Sequence, residues 1–140
     1  MDFSLTKPQK EIVKAAWEFA RGEFDKERIL ELSQRQEFPT DILQKAGDLG
    51  FIGIHLPENC DGGGMGLLEN VLVAETFCRK DSTLGSALMF SGYAAECLVR
   101  GGSDEIRNKF LPKVTSGDMI FTGAFLEPDS GYDLSRIQTA

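Results

Sequence analysis

The sequence predicts a mainly α protein, a bundle of six helices that gives way near its end to one extended segment. Three observations carry this. Apolar residues recur at spacings of three and four through most of the chain. Capping residues open these periodic segments and glycines close them. After Gly117 the pattern turns extended, over Met119-Ile-Phe-Thr-Gly-Ala-Phe-Leu126.

In order, Thr6-Lys-Pro-Gln9 has the form of a capping box, with Pro8 tolerated in the first turn. Ile12, Val13, Ala16, Trp17 and Ala20 follow at helical spacing, and Gly22 is a natural stop. Phe24 to Leu32 reads as a second, more charged helix with Ile29 and Leu30 on its apolar side. Phe38-Pro-Thr-Asp41 starts a third, whose stripe is Ile42, Leu43, Ala46 and Leu49, with Gly50 placed at C′. Phe51 to Pro57 is a short apolar connection, too broken by glycine for a strand. The run Asn59-Cys-Asp-Gly-Gly-Gly-Met-Gly66 lacks the lysine and hydroxyl of a phosphate-binding loop and the G-x-G-x-x-G spacing. It reads as a turn that lets two helices pack closely.

Leu67 to Arg79 is the fourth helix, with Leu68, Val71, Leu72, Glu75 and Cys78 at helical spacing. Asp81-Ser82 caps a fifth, and between Thr83 and Leu98 only Glu96 is charged. A helix apolar nearly all round belongs at the centre of a bundle. Arg100-Gly-Gly102 ends it. Ser103-Asp-Glu105 caps a sixth with acidic residues in its first turn, and Ile106, Phe110, Leu111 and Val114 form its stripe up to Gly117. The extended segment then meets the acidic turn Glu127-Pro-Asp-Ser-Gly-Tyr-Asp133. A single strand has no partner for its backbone groups, which implies a longer polypeptide or docking on something else.

Composition narrows the function. At 140 residues and 41% hydrophobic, the chain can build one real core. A net charge of -7 argues against a nucleic-acid surface, which needs a basic stripe. The longest nearly apolar stretch, Leu84 to Leu98, is interrupted by Glu96 and is too short to span a membrane. Met1-Asp-Phe-Ser-Leu5 shows no secretory signal. Cys60, Cys78 and Cys97 are widely spaced without a C-x-x-C pair, and His55 is the one histidine. Reduced thiols, no metal site and a cytoplasmic setting are the expectation.

Taken together and in order, these segments resemble the N-terminal part of the acyl-CoA dehydrogenase family. The residues that carry the resemblance are Leu5-Thr-Lys-Pro-Gln9, Phe38-Pro39 and Asp48-Leu-Gly-Phe-Ile-Gly-Ile-His-Leu-Pro-Glu58. Gly62-Gly-Gly-Met-Gly66, Gly102-Ser-Asp-Glu105, Phe110-Leu-Pro112, Ser116-Gly117 and Glu127-Pro-Asp-Ser-Gly-Tyr-Asp133 continue it. The resemblance implies the six-helix N-terminal bundle of that fold over residues 1–117. It also implies the first strand of a following β domain over 118–140. It further implies FAD, α,β-desaturation of an acyl-CoA, a homotetramer or homodimer, and an electron-transferring flavoprotein as acceptor. The catalytic base belongs to the family's C-terminal part, so neither Glu75, Glu96 nor Glu127 is assigned that role.

The resemblance also implies site residues. The fifth helix supplies one wall of the acyl pocket, with Gly85, Ser86, Met89, Phe90 and Tyr93 as candidates; each position suits plain core packing equally well. On the flavin side the candidates are Phe125, Leu126, Gly131 and Tyr132. There the chain departs from the family pattern of an aromatic followed by x-V-T-E-P-x-x-G-S-D. Gly123 stands at the aromatic position, Phe125 at the valine, Leu126 at the threonine and Tyr132 at the serine, while Glu127, Pro128, Gly131 and Asp133 match. The turn is retained and the side chains that would meet flavin are altered. An alternative stays open: a non-catalytic acyl-CoA-binding or oligomerisation module derived from the family.

Overall fold

The computed structural model describes residues 3–138. The outermost positions of the two expected domains, 1–2 and 139–140, lie outside the described residues. The protein is mainly helical: α1 (Lys7–Glu23), α2 (Lys26–Arg35), α3 (Thr40–Asp48), α4 (Leu67–Lys80), α5 (Ser82–Phe90), α6 (Ala95–Gly101) and α7 (Asp104–Thr115).

Local signals set the helix starts. The Thr6 hydroxyl accepts the Gln9 N–H at 3.4 Å, and the Gln9 side chain accepts the Thr6 N–H at 2.9 Å, which closes the capping box. Asp25, Asp81 and Ser103 cap α2, α5 and α7 by accepting from Arg28, Leu84 and Ile106. The second helix thus begins later than Phe24. That ring is buried in the core, and its residue precedes the cap rather than opening the helix. Leu30 is another correction: it is exposed, and Ile29 alone is buried on α2.

The core centres on four aromatic rings. Phe19, Phe24, Phe51 and Phe77 meet one another at centroid distances of 5.4–6.1 Å, mostly edge-on or tilted. Such geometry aligns ring edges with ring faces and adds to the burial itself. Around them pack Ala16 and Ala20 of α1, Ile42, Leu43 and Ala46 of α3, and Val73 of α4. A smaller cluster under α6 and α7 joins Leu56, Cys60, Ala95, Leu111 and Val114.

The fourth helix differs from the expected stripe. Leu68 and Val71 are exposed, whereas Leu72, Val73, Thr76 and Phe77 face the core. Helix α4 packs against both α1 and α5, so it needs more than one inward face, and a single periodic stripe does not describe it.

The fifth helix is also corrected. It is broken at residues 91–94 into α5 and α6. Bonds of the three-residue kind replace the α pattern there: Ser91 N–H to Leu88 O, Tyr93 N–H to Phe90 O and Ala95 N–H to Gly92 O. The buried Ser91 also donates its hydroxyl to Leu88 O at 2.5 Å. Its carbonyl accepts the Phe121 N–H at 2.8 Å, so the extended segment closes the break. Beyond that anchor the expected strand forms no ladder among the described residues. An antiparallel bridge between Glu127 and Gly131 is the isolated pairing that follows.

Candidate functional site

Two concavities meet at Tyr93. The first, about 570 Å³, lies between α4 on one side and α5, the 91–94 turn and α6 on the other. Helix α4 presents Leu67, Asn70, Ala74 and Cys78 to it, a spacing that keeps one helical face toward the cavity while Leu72, Val73, Thr76 and Phe77 serve the core. Across from them stand Ser86, Met89, Phe90 and Tyr93, four of the five residues expected on an acyl pocket wall.

Gly85 is elsewhere. It is buried at the crossing of α5 over α4, where a Cβ would stand 2.6 Å from the Cys78 nitrogen and 2.7 Å from the Phe77 carbonyl carbon. Its glycine lets two helix backbones touch.

One end of this cavity is polar. His55, from the connection after α3, faces Glu96 of α6 with Nε2 at 4.0 Å from the carboxylate. Glu96 in turn accepts from the Arg100 guanidinium at 2.8 Å. Burial pushes the His55 pKa below its ordinary 6.5, outweighing the opposite pulls of the Glu96 charge and the Asn70 side chain. The neutral imidazole is therefore favoured. His55 Nδ1 and Asn70 Oδ1 are both buried without a well-aligned hydrogen-bond partner among the described residues, although Asn70 is close enough to favour the protonated ring. Nothing in the spacing of the sequence singles out His55. The available signal was Glu96, the lone charge in an apolar run, which marks where a partner is needed.

The second concavity, about 630 Å³, is formed by Tyr93 with Gly123, Ala124, Phe125, Leu126, Tyr132 and Leu134. Three of the four expected flavin-side residues thus come together. The fourth, Gly131, lies in the adjoining turn with φ of 55°, a conformation glycine adopts without strain. The acidic residues of that turn hold it together. Glu127 accepts from the Gln138 N–H, and Asp133 accepts from the Ser135 N–H and hydroxyl.

The departures at 123 and 125 are physically linked. Positions two apart on an extended chain share a face. A Cβ at Gly123 would lie 2.0 Å from the Phe125 ring, so that ring occupies the space a side chain at 123 would fill. Tyr93 holds the Phe125 ring edge-on at a centroid distance of 5.7 Å. Leu126 and Tyr132, in contrast, are exposed, Tyr132 by 89%. The backbone groups of residues 122–126 make no main-chain hydrogen bond among the described residues. These N–H and C=O groups lie beside an aromatic wall and can hydrogen-bond a partner strand or a ligand. No hydroxyl is offered at 126.

The family model for the acyl-CoA dehydrogenase N-terminal domain matches residues 6–118. Among curated relatives, an acryloyl-CoA reductase (NADH) of Anaerotignum propionicum is 32% identical over 99% of this chain and 35% of its own length. A solved structure of glutaryl-coenzyme A dehydrogenase in complex with glutaryl-CoA superposes with a TM-score of 0.83 at 28% identity, covering 98% of this chain and 35% of that one. PigA with FAD and proline superposes at 0.78 with 31% identity, over 96% of this chain and 36% of its own. The chain spans about a third of the length of the curated relatives that match it along nearly its whole length. A family-model match over most of the chain, with relatives and folds that agree, means that this chain belongs to the acyl-CoA dehydrogenase family and has the helical N-terminal domain of its fold.

Proposed function

We propose that this chain forms the helical wall and the flavin-side turn of an FAD-dependent acyl-CoA dehydrogenase, which desaturates an acyl-CoA thioester between Cα and Cβ. In this reading residues 1–117 are the helical domain and 118–140 begin the middle β domain. The observation that carries it is Tyr93, which lines both concavities and packs on Phe125. An acyl chain lying in the first concavity would therefore reach the second across one shared aromatic wall.

Ser86, Met89, Phe90 and Tyr93 bind the acyl chain and exclude water from it. Phe125, Leu126, Gly131 and Tyr132 form the flavin-side surface, with the free backbone groups of 122–126 as hydrogen-bonding partners for the ring edge. FAD, when bound, supplies the hydride acceptor. No residue of this chain is assigned the role of catalytic base. Glu96 is engaged by Arg100, and Glu127 is committed to its own turn. A homo-oligomer, an acyl-CoA substrate and an electron-transferring flavoprotein are the partners this reading brings with it.

Leu126 and Tyr132, which stand where the family pattern has threonine and serine, favour a second reading, an acyl-CoA-binding or assembly module without redox chemistry. The visible spectrum of protein from the complete reading frame, before and after an acyl-CoA panel, separates the two. A flavin band that bleaches with an acyl-CoA supports the dehydrogenase. A folded, colourless protein overturns it in favour of the module.

A further inference from the structure

Deepening that reading and resting on it, we propose that the His55 end of the acyl cavity is a hydrogen-bonding subsite, built by His55, Asn70 and Glu96, that selects an acyl chain bearing a hydroxyl or amino group over a plain alkyl chain. The cavity is apolar along Ala74, Met89 and Phe90, then changes character where these three residues converge.

Two acceptors converge there, with the Arg100 guanidinium bonded to Glu96 at 2.8 Å beside them. Glu96, ion-paired to Arg100, lies 4.0 Å from Nε2 of His55, and an imidazole with its proton on that side presents Nδ1 as an acceptor. Asn70 Oδ1 is a second acceptor. Two acceptors cannot satisfy each other, and both are buried without a partner. Buried polar atoms are nearly always paired, and each exception calls for an explanation. A ligand donor reaching between α4 and α6 supplies one. A hydroxyl satisfies one of the two atoms and an amine satisfies both, while the Glu96 charge is already met by Arg100. A methyl terminus satisfies neither and keeps both acceptors dehydrated, which is the stronger source of discrimination.

The site draws on three separate elements: the loop after α3 for His55, α4 for Asn70 and α6 for Glu96. The break at 91–94 separates α6, which carries Glu96, from α5, which carries Ser86 and Met89.

The test uses protein from the complete reading frame and three matched sets of CoA thioesters with four, six and eight acyl carbons, each ending in methyl, hydroxyl or amine. Dissociation constants come from calorimetry, alongside flavin bleaching. At one length or more, a donor-ended thioester binds about fivefold or more tighter than its methyl counterpart. Asn70→Leu, close to isosteric, and His55→Phe each bring that ratio toward one. The ratio is the readout because a general loss of stability weakens all the thioesters alike. Hydroxyl and amine arms distinguish a one-bond from a two-bond contact.

Equal affinities at every length overturn the subsite, and mean that the Asn70 amide turns to close on His55 itself. A preference that survives both variants also overturns it. Bleaching by plain alkyl thioesters with no preference leaves the dehydrogenase standing and removes the subsite. A donor preference in a colourless protein does the reverse. Failure of all the thioesters to bind removes both.

Discussion

Gly85→Ala and Gly22→Ala are the same substitution within helices, and the structure assigns them opposite signs. At Gly22 a Cβ meets nothing within 4 Å, so alanine gains helix propensity, up to about 1 kcal/mol. At Gly85 the added carbon meets the α4 backbone at 2.6, 2.7 and 2.9 Å. Ordinary contact begins near 3.4 Å, so α5 must move off α4 by roughly 0.8 Å. Asp81 alone joins the two helices, which holds the α5 N-terminus in place. Overpacking of this kind costs about 1–3 kcal/mol. Setting helix propensity against it leaves a net loss of about 0.5–2 kcal/mol.

Urea unfolding followed by circular dichroism at 222 nm reads this directly. With a urea dependence of about 1–3 kcal/mol per molar, the Gly85→Ala midpoint falls by roughly 0.2–2 M, and the Gly22→Ala midpoint rises. A Gly85→Ala midpoint that rises alongside Gly22→Ala would refute the reasoning, because the helices would then have room to spare at their crossing.

Two further outcomes are expected. His55 has a depressed pKa, so between its ordinary 6.5 and its folded value the unfolded chain binds more protons than the folded one. Its contribution is present above 6.5 and lost as pH falls through the folded value; urea midpoints at pH 7.5 and 5.5 should diverge less in His55→Gln, and equal divergence would contradict the burial of the ring. At the flavin-side surface, Gly123→Ala alone displaces the Phe125 ring and destabilises, whereas Gly123→Ala combined with Phe125→Val costs less than the two single changes summed; strict additivity in a double-mutant cycle would deny their contact.

Much of the fold was legible because its signals are local. Thr6 with Gln9, Asp81 and Ser103 sit within one turn of the groups they cap, so the chain displays both partners together. The break after Phe90 was not legible, because the apolar pattern is the same on both sides of it. Its cause is tertiary, since the carbonyl that Ser91 sets free is taken by Phe121, thirty residues on. The offset on α4 has a similar origin: whether Leu72 or Leu68 faces inward depends on where α1 and α5 lie.

The candidate site was legible in part for the same reason. Ser86, Met89, Phe90 and Tyr93 share one stretch of chain and were found together, whereas His55, Asn70 and Glu96 meet only once three elements have packed. Gly85 belongs to that same stretch yet faces away from the cavity, because a glycine's use depends on what approaches it.

The Phe121 to Ser91 bond ties the base of the extended segment to the corner between α5 and α6, and Tyr93 stands two residues past that corner against Phe125. The polypeptide is thereby pinned at two points on either side of one aromatic ring. Whatever presses on residues 122–126 from outside pushes on a lever whose short arm is the wall of the other chamber. Any movement of the Tyr93 ring would therefore reshape both chambers at once.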